Sequence, residues 1–363
     1  MIKICLIQKE LKDNNFVNGG EKVNFDILRA LCESGFCVDI LCADNYMKKK
    51  YKANNITQLP AENFVQEALT IAGSVNYDLT FATDYVPADV VYLHQHTKAY
   101  REVIVKSKLE ALFSALFSRK NHINSVNESN KQKRCIKKNK IILTPSTILK
   151  NDLINMLGAD GQKIYILPPA VDLPKKVKPK LNSVFTFGFV GYDFADKGGY
   201  VLLKALAKLK DLDFRVKIIY PHEKISPFIK FYLKCFNLSS KIEFLGQQDN
   251  MNSFYDDIDC LLLPSKRETF GLNALEGMSM GKIVVISSRC GVKDIIEPDN
   301  NGFIFDITKN PVVNLARIMR YIYVNKDDFD NLRQKAVFTA SVYNFEKFKL
   351  ELARIINKYA ENI

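Results

Sequence analysis

The sequence predicts an α/β protein with two parallel, doubly wound sheets, one in each half of the chain. Three observations point there. Short apolar runs closed by breakers, such as Cys260-Leu261-Leu262-Leu263 before Pro264-Ser265, read as strands buried on both faces. Such runs alternate along the chain with stretches whose apolar residues fall at helical spacing. The 363 residues suffice for two domains of ordinary size.

Residues 2–8 read as the first strand. A polar segment ends in Asn18-Gly19-Gly20, and residues 21–34 follow as a helix with Val23, Ile27, Leu28 and Leu31 on one face. Gly35 stops it, and residues 38–42 are the second strand. Strand, glycine turn and helix is how α/β folds set backbone N–H groups against a phosphate. A lone Gly-Gly pair is more often a plain turn. The dinucleotide fingerprint G-x-G-x-x-G is absent, so a nicotinamide enzyme loses its main support. Residues 79–82 and 89–93 are further strands. The second ends in His94-Gln95-His96, two of the four histidines in the chain. A histidine is commonly a surface or core filler; one directly after a strand is a site candidate, and His94 stands closer to the strand end than His96.

From residue 98 to 140, twelve Lys and Arg face Glu102, Glu110 and Glu128, a local net of +9. Leu109, Leu112, Phe113 and Leu116 fall at helical spacing inside it. A basic amphipathic helix suits an anionic membrane surface. The plainer alternative packs the stripe on the sheet and leaves the charges solvated. Residues 121–140 are polar and read as a loop or a helix. Residues 141–146 form another strand, then comes a helix to Leu157, and a Pro-rich exit ending in Val171-Asp172 closes a first domain of residues 1–172. The stretch 173–182 is charged and Pro-bounded, a linker.

The second domain, 183–342, opens with an apolar run ending in Gly191, then Asp196-Lys197-Gly198-Gly199 and a helix. Strand, loop, lysine, glycine and helix again make an anion site, and Lys197 would bring a point charge to a diphosphate. The usual reading of a lone lysine is a solvated surface. Strands recur at 216–220, 242–245 and 260–263, and Gly246-Gln247 ends the middle one. After the third comes Arg267-Glu268-Thr269-Phe270-Gly271-Leu272-Asn273-Ala274-Leu275-Glu276. Glu268 falls at the carboxyl end of a strand, where open α/β sheets bind ligands. Glu276 lies inside the helix 271–280. The unpaired N–H groups between them, at Gly271 and Leu272, suit a phosphate. Glu276, two turns in, can accept hydrogen bonds from vicinal hydroxyls such as a ribose diol. A capping acid on a solvated helix is the bland alternative, and it leaves an acid directly after a core strand unexplained. Asp257-Ile258-Asp259 has the look of a metal motif, but Asp259 starts a core strand. No His, Cys or carboxylate cluster has metal-site spacing, so no metal is expected. The last helix, 345–359, has Phe345, Phe348, Leu352, Ile355, Ile356 and Tyr359 in register.

The formal charge of +12 implies an anionic partner. The eight cysteines are scattered without a C-x-x-C pair and read as buried hydrophobes in a reducing compartment. The N-terminal apolar run is wrongly flanked for a signal peptide, and no run of about 18 apolar residues exists, so a cytoplasmic protein is expected.

At Pro264-Ser265-x-x-Glu268-x-Phe270-Gly271-Leu272-x-x-x-Glu276-x-Met278 the sequence resembles the retaining nucleotide-sugar glycosyltransferases of the GT-B fold, family four. The resemblance covers nearly the whole chain, is strongest in 184–305 and is thin between 98 and 140. It implies two Rossmann-like domains facing a cleft, with residues 343–363 crossing back to the first. It implies a nucleoside-diphosphate sugar, such as a UDP-sugar, as donor, a glycan or glycolipid as acceptor, and neither a separate cofactor nor a metal. Donor contacts are implied at Gly19, Gly20, Gly191, Lys197, Gln247, Arg267, Glu268, Phe270, Gly271, Leu272 and Glu276, with His94, Glu268 and Lys197 nearest the reacting sugar. An arginine commonly follows the first glycine in this family; here Tyr192 stands there, and Arg267 or a first-domain base has to cover that charge. The variant Gly191-x-Asp193-Phe194-x-x-Lys197-Gly198 is similar to a lipopolysaccharide-core branch. The basic segment 98–140 would then meet an acidic membrane at its cytoplasmic face. Rival readings are a nucleotide-sugar epimerase or phosphorylase on the same fold, a non-catalytic sugar-binding protein, and a nucleic-acid-binding protein. No known nucleic-acid motif supports the last.

Overall fold

The computed structural model describes residues 1–13, 16, 19–47, 53–94, 119–174, 181–222, 224–248 and 250–361. His96, the stripe Leu109, Leu112, Phe113 and Leu116, and most of the 173–182 stretch lie outside the described residues. The chain divides into two compact units, Met1–Ala170 with Phe345–Ile363, and Val171–Asn344.

The first unit carries β1 (Lys3–Ile7), β2 (Glu10–Leu11), β3 (Cys37–Cys42), β4 (Asp44–Asn45), β5 (Asn55–Gln58), β6 (Leu79–Ala82), β7 (Val90–Tyr92), β8 (Ile141–Thr144) and β9 (Ile164–Ile166). Seven of these form one sheet in the order β5-β3-β1-β6-β7-β8-β9, while β2 pairs with β4 alone. The second unit carries β10 (Thr186–Val190), β11 (Arg215–Ile219), β12 (Ile242–Leu245), β13 (Cys260–Leu263), β14 (Ile283–Ser287) and β15 (Phe303–Phe305), in the order β12-β11-β10-β13-β14-β15. Every pairing in both sheets is parallel. Each sheet therefore grows outward from its first strand in one direction and then reverses, the doubly wound order.

The apolar runs are strands because both faces of each sheet are covered. In β13, Cys260 and Leu262 enter the core on one face and Leu261 and Leu263 the core on the other. Burying one such leucine contributes about 1.5–3 kcal/mol, so a polar residue anywhere in this run would be costly.

Two local outcomes differ from the sequence expectation, and one open alternative is decided. The first helix spans Gly19–Glu33, so Gly19 and Gly20 are its first residues instead of a preceding turn. The entropic cost of glycine applies to a helix interior and weighs less at its first residues. The polar stretch 121–140 takes the helical of its two alternatives, Arg119–Lys138. Cys135 and Ile136 near its end are buried, and the Asn139 side chain donates to the Val86 and Ala88 carbonyls at 3.1 and 2.9 Å, which pins that end. Asp259 precedes its strand instead of starting it. Its carboxylate accepts from the Thr186 N–H at 2.7 Å and the Asn182 N–H at 2.9 Å, closing the entry to β10.

The helix Phe345–Ala360 belongs to the first unit. Phe345, Phe348, Leu352, Ile355 and Ile356 share a core with Val23, Ile27 and Leu31 of the first helix. Lys349 lies 3.7 Å from Glu33, and the Arg29 guanidinium stands 3.7 Å over the Phe345 ring. Among the described residues no helix is long and apolar enough to cross a membrane.

Candidate functional site

In the second sheet the order reverses between β10 and β13, which are direct neighbours with Phe187 opposite Cys260. Two crossovers leave the sheet there in opposite directions, so the loops after these strands flank an opening at their carboxyl ends. The loop after β10 starts at Gly191, whose N–H donates to the Ile219 carbonyl at 3.0 Å. A Cβ at Gly191 would fall 2.3 Å from the Phe189 ring, so glycine is required for this tight departure. The loop ends at Gly198, which has φ +80 and caps the helix Gly199–Leu206. A Cβ at Gly198 would lie 1.8 Å from the Pro264 carbonyl oxygen of the loop after β13. The Lys266 N–H donates to the Asp196 carbonyl at 2.9 Å. The two loops are therefore in backbone contact.

That contact brings Lys197 and Glu268 together, and the ammonium donates to Glu268 Oε2. Burial opposes the charge on Lys197, but the adjacent carboxylate outweighs it, and the net effect holds its pKa above the ordinary lysine value. Glu268 is fixed from the other side by the segment after β14. Its N–H donates to the Arg289 carbonyl and its carbonyl accepts from the Gly291 N–H, both at 3.0 Å. Phe270 is buried, and its carbonyl accepts from Val292 N–H at 2.6 Å. Gly271, at φ +100, then turns the chain into the helix Leu272–Ser279. The N–H groups at the start of this helix and the Glu268 carboxylate are thus held by a common frame.

Glu276 lies in that helix, half-buried, and its Oε2 accepts from the Tyr255 hydroxyl at 2.6 Å. Tyr255 is buried, and burial together with the Glu276 carboxylate keeps its phenol protonated far beyond the normal range. Tyr255 is therefore a permanent donor that orients Glu276. Arg267 is half-buried, and burial and the nearby Arg289 guanidinium push its pKa down to about 9. An arginine holds its proton even so. The shift means that a positive charge is costly there and that an arriving anion would relieve the cost.

Gly191, Lys197, Arg267, Glu268, Phe270, Gly271, Leu272 and Glu276 thus gather on the loops after β10 and β13 and the helix that follows. Gln247 stands on a different loop. It is exposed after β12, two strands away from β10. His94, Gly19 and Gly20 belong to the first unit. His94 follows β7, and burial pushes its pKa below the ordinary imidazole value while Asp84 opposes the shift. Its ring lies 6.4 Å from that of Tyr92. Tyr192 is packed against the apolar core on one face of the second sheet. Tyr255 and Arg289 are the site neighbours that the sequence did not mark. Nothing in the run Phe254-Tyr255-Asp256 announces a partner 21 positions later. Asp257 pairs with Lys217 at 2.7 Å, and Asp259 closes the entry to β10, so both carboxylates of the Asp-x-Asp run have structural work.

Residues 173–337 match the sequence model of the family described as Glycosyl transferases group 1. An uncharacterized glycosyltransferase of Haemophilus influenzae is 28% identical over 188 residues, covering 51% of this chain and 52% of that relative. The chain spans about half the length of the curated relatives it matches. Among solved structures, sucrose-phosphate synthase from Thermosynechococcus elongatus superposes with a TM-score of 0.77 at 16% identity, over 100% of both chains. Anabaena HepE, solved in complex with UDP-glucose, superposes with a TM-score of 0.71 at 17% identity, over 99% of this chain and 100% of that one. Such identities speak for the fold alone. The chain has the GT-B fold of two Rossmann-like parallel-sheet units, and its residues 173–337 match the glycosyl transferases of group 1.

Proposed function

We propose that the protein is a retaining glycosyltransferase that moves a sugar from a nucleoside-diphosphate sugar to a hydroxyl of a glycan or glycolipid. The observation that carries this is the Lys197–Glu268 pair at the switch point, beside a helix start whose Glu276 is held ready by Tyr255. Glu276 takes the ribose hydroxyls. Glu268 takes hydroxyls of the donor sugar. Lys197, the N–H groups of Gly271 and Leu272, and Arg267 take the diphosphate. Arg267 supplies the charge that Tyr192 does not.

As the anomeric C–O bond breaks, positive charge develops on the sugar and negative charge on the leaving diphosphate. Preorganised donors aimed at that developing charge lower the barrier. The proton of the acceptor hydroxyl passes to the leaving phosphate on the same face, which retains the anomeric configuration and needs no protein nucleophile. The UDP-glucose held by HepE supports a uridine diphosphate hexose as donor. The charge of residues 98–140 supports an acceptor carried on an anionic surface, as in cell-surface polysaccharide or lipopolysaccharide synthesis at the cytoplasmic face of a membrane.

A thermal-shift panel of nucleotide sugars, followed by calorimetry with the free nucleoside diphosphate, tests the donor assignment. Glu276→Ala removes a charged hydrogen bond to a hydroxyl, worth about 1.5–3 kcal/mol, and should weaken nucleotide binding at least tenfold. Glu268→Ala should reduce turnover more than affinity. Unchanged nucleotide affinity in Glu276→Ala refutes the ribose role, and an inverted anomeric centre in the product refutes retention.

A further inference from the structure

The chain leaves β11 through Tyr220, Pro221 and His222 and enters the helix Pro227–Cys235. The inner side of this helix is fully employed. Ile229 and Leu233 are buried, and the Tyr232 ring packs 5.4 Å from Tyr200 and 5.5 Å from Phe236. A helix of nine residues needs no second apolar face to stay folded on this core. It has one nevertheless. Phe228 is 71% exposed and Phe231 63% exposed, one turn apart on the outer flank, with exposed Cys235 one turn beyond.

The charged side chains on the helix itself have one sign. Lys230 and Lys234, four apart, form the neighbouring outer flank, and both are exposed. From Lys224 to Lys241 inclusive, directly after Glu223, the sequence carries four lysines and no acidic residue. Among the described residues no carboxylate forms an ion pair with Lys224, Lys230 or Lys234. Protruding phenyl rings bordered by long, flexible cations match a surface with an apolar interior beneath negative headgroups. The rings enter the interface while the lysine stems lie along it and keep their ammonium groups among the headgroups.

We propose that the outer face of the helix Pro227–Cys235 docks on an anionic lipid bilayer. This contact belongs to the second unit and is separate from residues 98–140. It rests on the glycolipid reading only for its purpose, which is to hold the donor-binding unit at the surface where such an acceptor lies. Each lysine near an anionic surface should strengthen partitioning about fivefold, so three engaged together give roughly a hundredfold. Each inserted phenyl ring adds about tenfold or more.

The chain contains no tryptophan, so Phe231→Trp gives a single fluorescent reporter in the full-length protein. With vesicles containing phosphatidylglycerol at low salt, its emission should move to the blue and be quenched by brominated acyl chains. Pure phosphatidylcholine should have no such effect, and high salt should reverse it. Adding Phe228→Ser, Lys230→Glu and Lys234→Glu should weaken partitioning by at least about a hundredfold. An unchanged thermal unfolding midpoint of these variants without nucleotide shows that unit folded and keeps this test separate from the donor assignment. If the protein sediments with anionic vesicles while the reporter stays in water, the docking face is wrong and binding runs through another segment, which Leu112→Trp would report. If the protein stays in the supernatant, or the reporter answers polyglutamate but not vesicles, the bilayer proposal is overturned.

Discussion

Gly198→Ala is the most direct test of how the site is assembled. The added methyl carbon would lie 1.8 Å from the Pro264 carbonyl oxygen and 2.6 Å from its carbonyl carbon. Ordinary contact lies well beyond that, so one of the two backbones has to retreat by about 1.5 Å. The residue also stays at φ +80, which costs about 1–2 kcal/mol for a side-chain-bearing residue. Overpacking adds about 1–3 kcal/mol, for a total near 2–5 kcal/mol. Gly158→Ala separates the two terms. Gly158 has φ +69 but nothing within 4 Å of a built Cβ, so that variant carries the conformational cost alone. Urea unfolding of both variants gives the stability difference, and calorimetry with a nucleoside diphosphate gives the functional one. Retreat of the loop moves Lys197 away from Glu268, and a displacement of this size should lower turnover by on the order of a hundredfold. Gly158→Ala should leave nucleotide binding untouched. If Gly198→Ala costs no more stability than Gly158→Ala and binds nucleotide normally, the two loops do not interlock as described, and the account of the Lys197–Glu268 pair fails with them.

Tyr255→Phe should weaken nucleotide binding about tenfold at neutral pH, the worth of a hydrogen bond to a charged group. Calorimetry checks it, with turnover at saturating donor staying near wild type. The Lys197–Glu268 pair holds the folded-state pKa of Lys197 above the ordinary value of 10.5. Its contribution to stability is therefore complete at neutral pH and is lost only as pH rises through that raised value. Urea midpoints measured from neutral to strongly alkaline pH should show this decline in wild type and a smaller one in Lys197→Met. Turnover should survive excess chelator, because Asp257 and Asp259 are engaged by Lys217 and by Asn182 and Thr186. Complete loss restored by magnesium or manganese would reverse that assignment.

The parallel sheets were legible because residues such as Leu261 and Leu262 face two different cores, which leaves an unbroken apolar run in the sequence. The meeting of Lys197 and Glu268 was legible only in kind. Each stands after a strand, but the sequence does not say that β10 and β13 are neighbours; the winding order does. Gly198 read as part of an anion loop, and its closest neighbour is a proline carbonyl in another segment. A requirement of that sort arises from packing and has no local pattern. Tyr255 was invisible for a related reason, since a tyrosine next to a buried phenylalanine reads as core until its hydroxyl is seen to reach Glu276.

The packing of the helix Phe345–Ala360 on the helix Gly19–Glu33 has a consequence for synthesis. Chains generally fold domain by domain as they emerge from the ribosome, the earlier domain first. Here the earlier unit waits for its final piece until the whole of Val171–Asn344 has been made. During that interval Val23, Ile27 and Leu31 lack the apolar partners that Phe348, Leu352 and Ile355 later supply. The second unit has all its strands by then and is free to fold ahead of the first. The nascent protein is thus exposed to aggregation and chaperone capture through its N-terminal part, and a premature stop shortly before Phe345 would leave that exposed patch permanent.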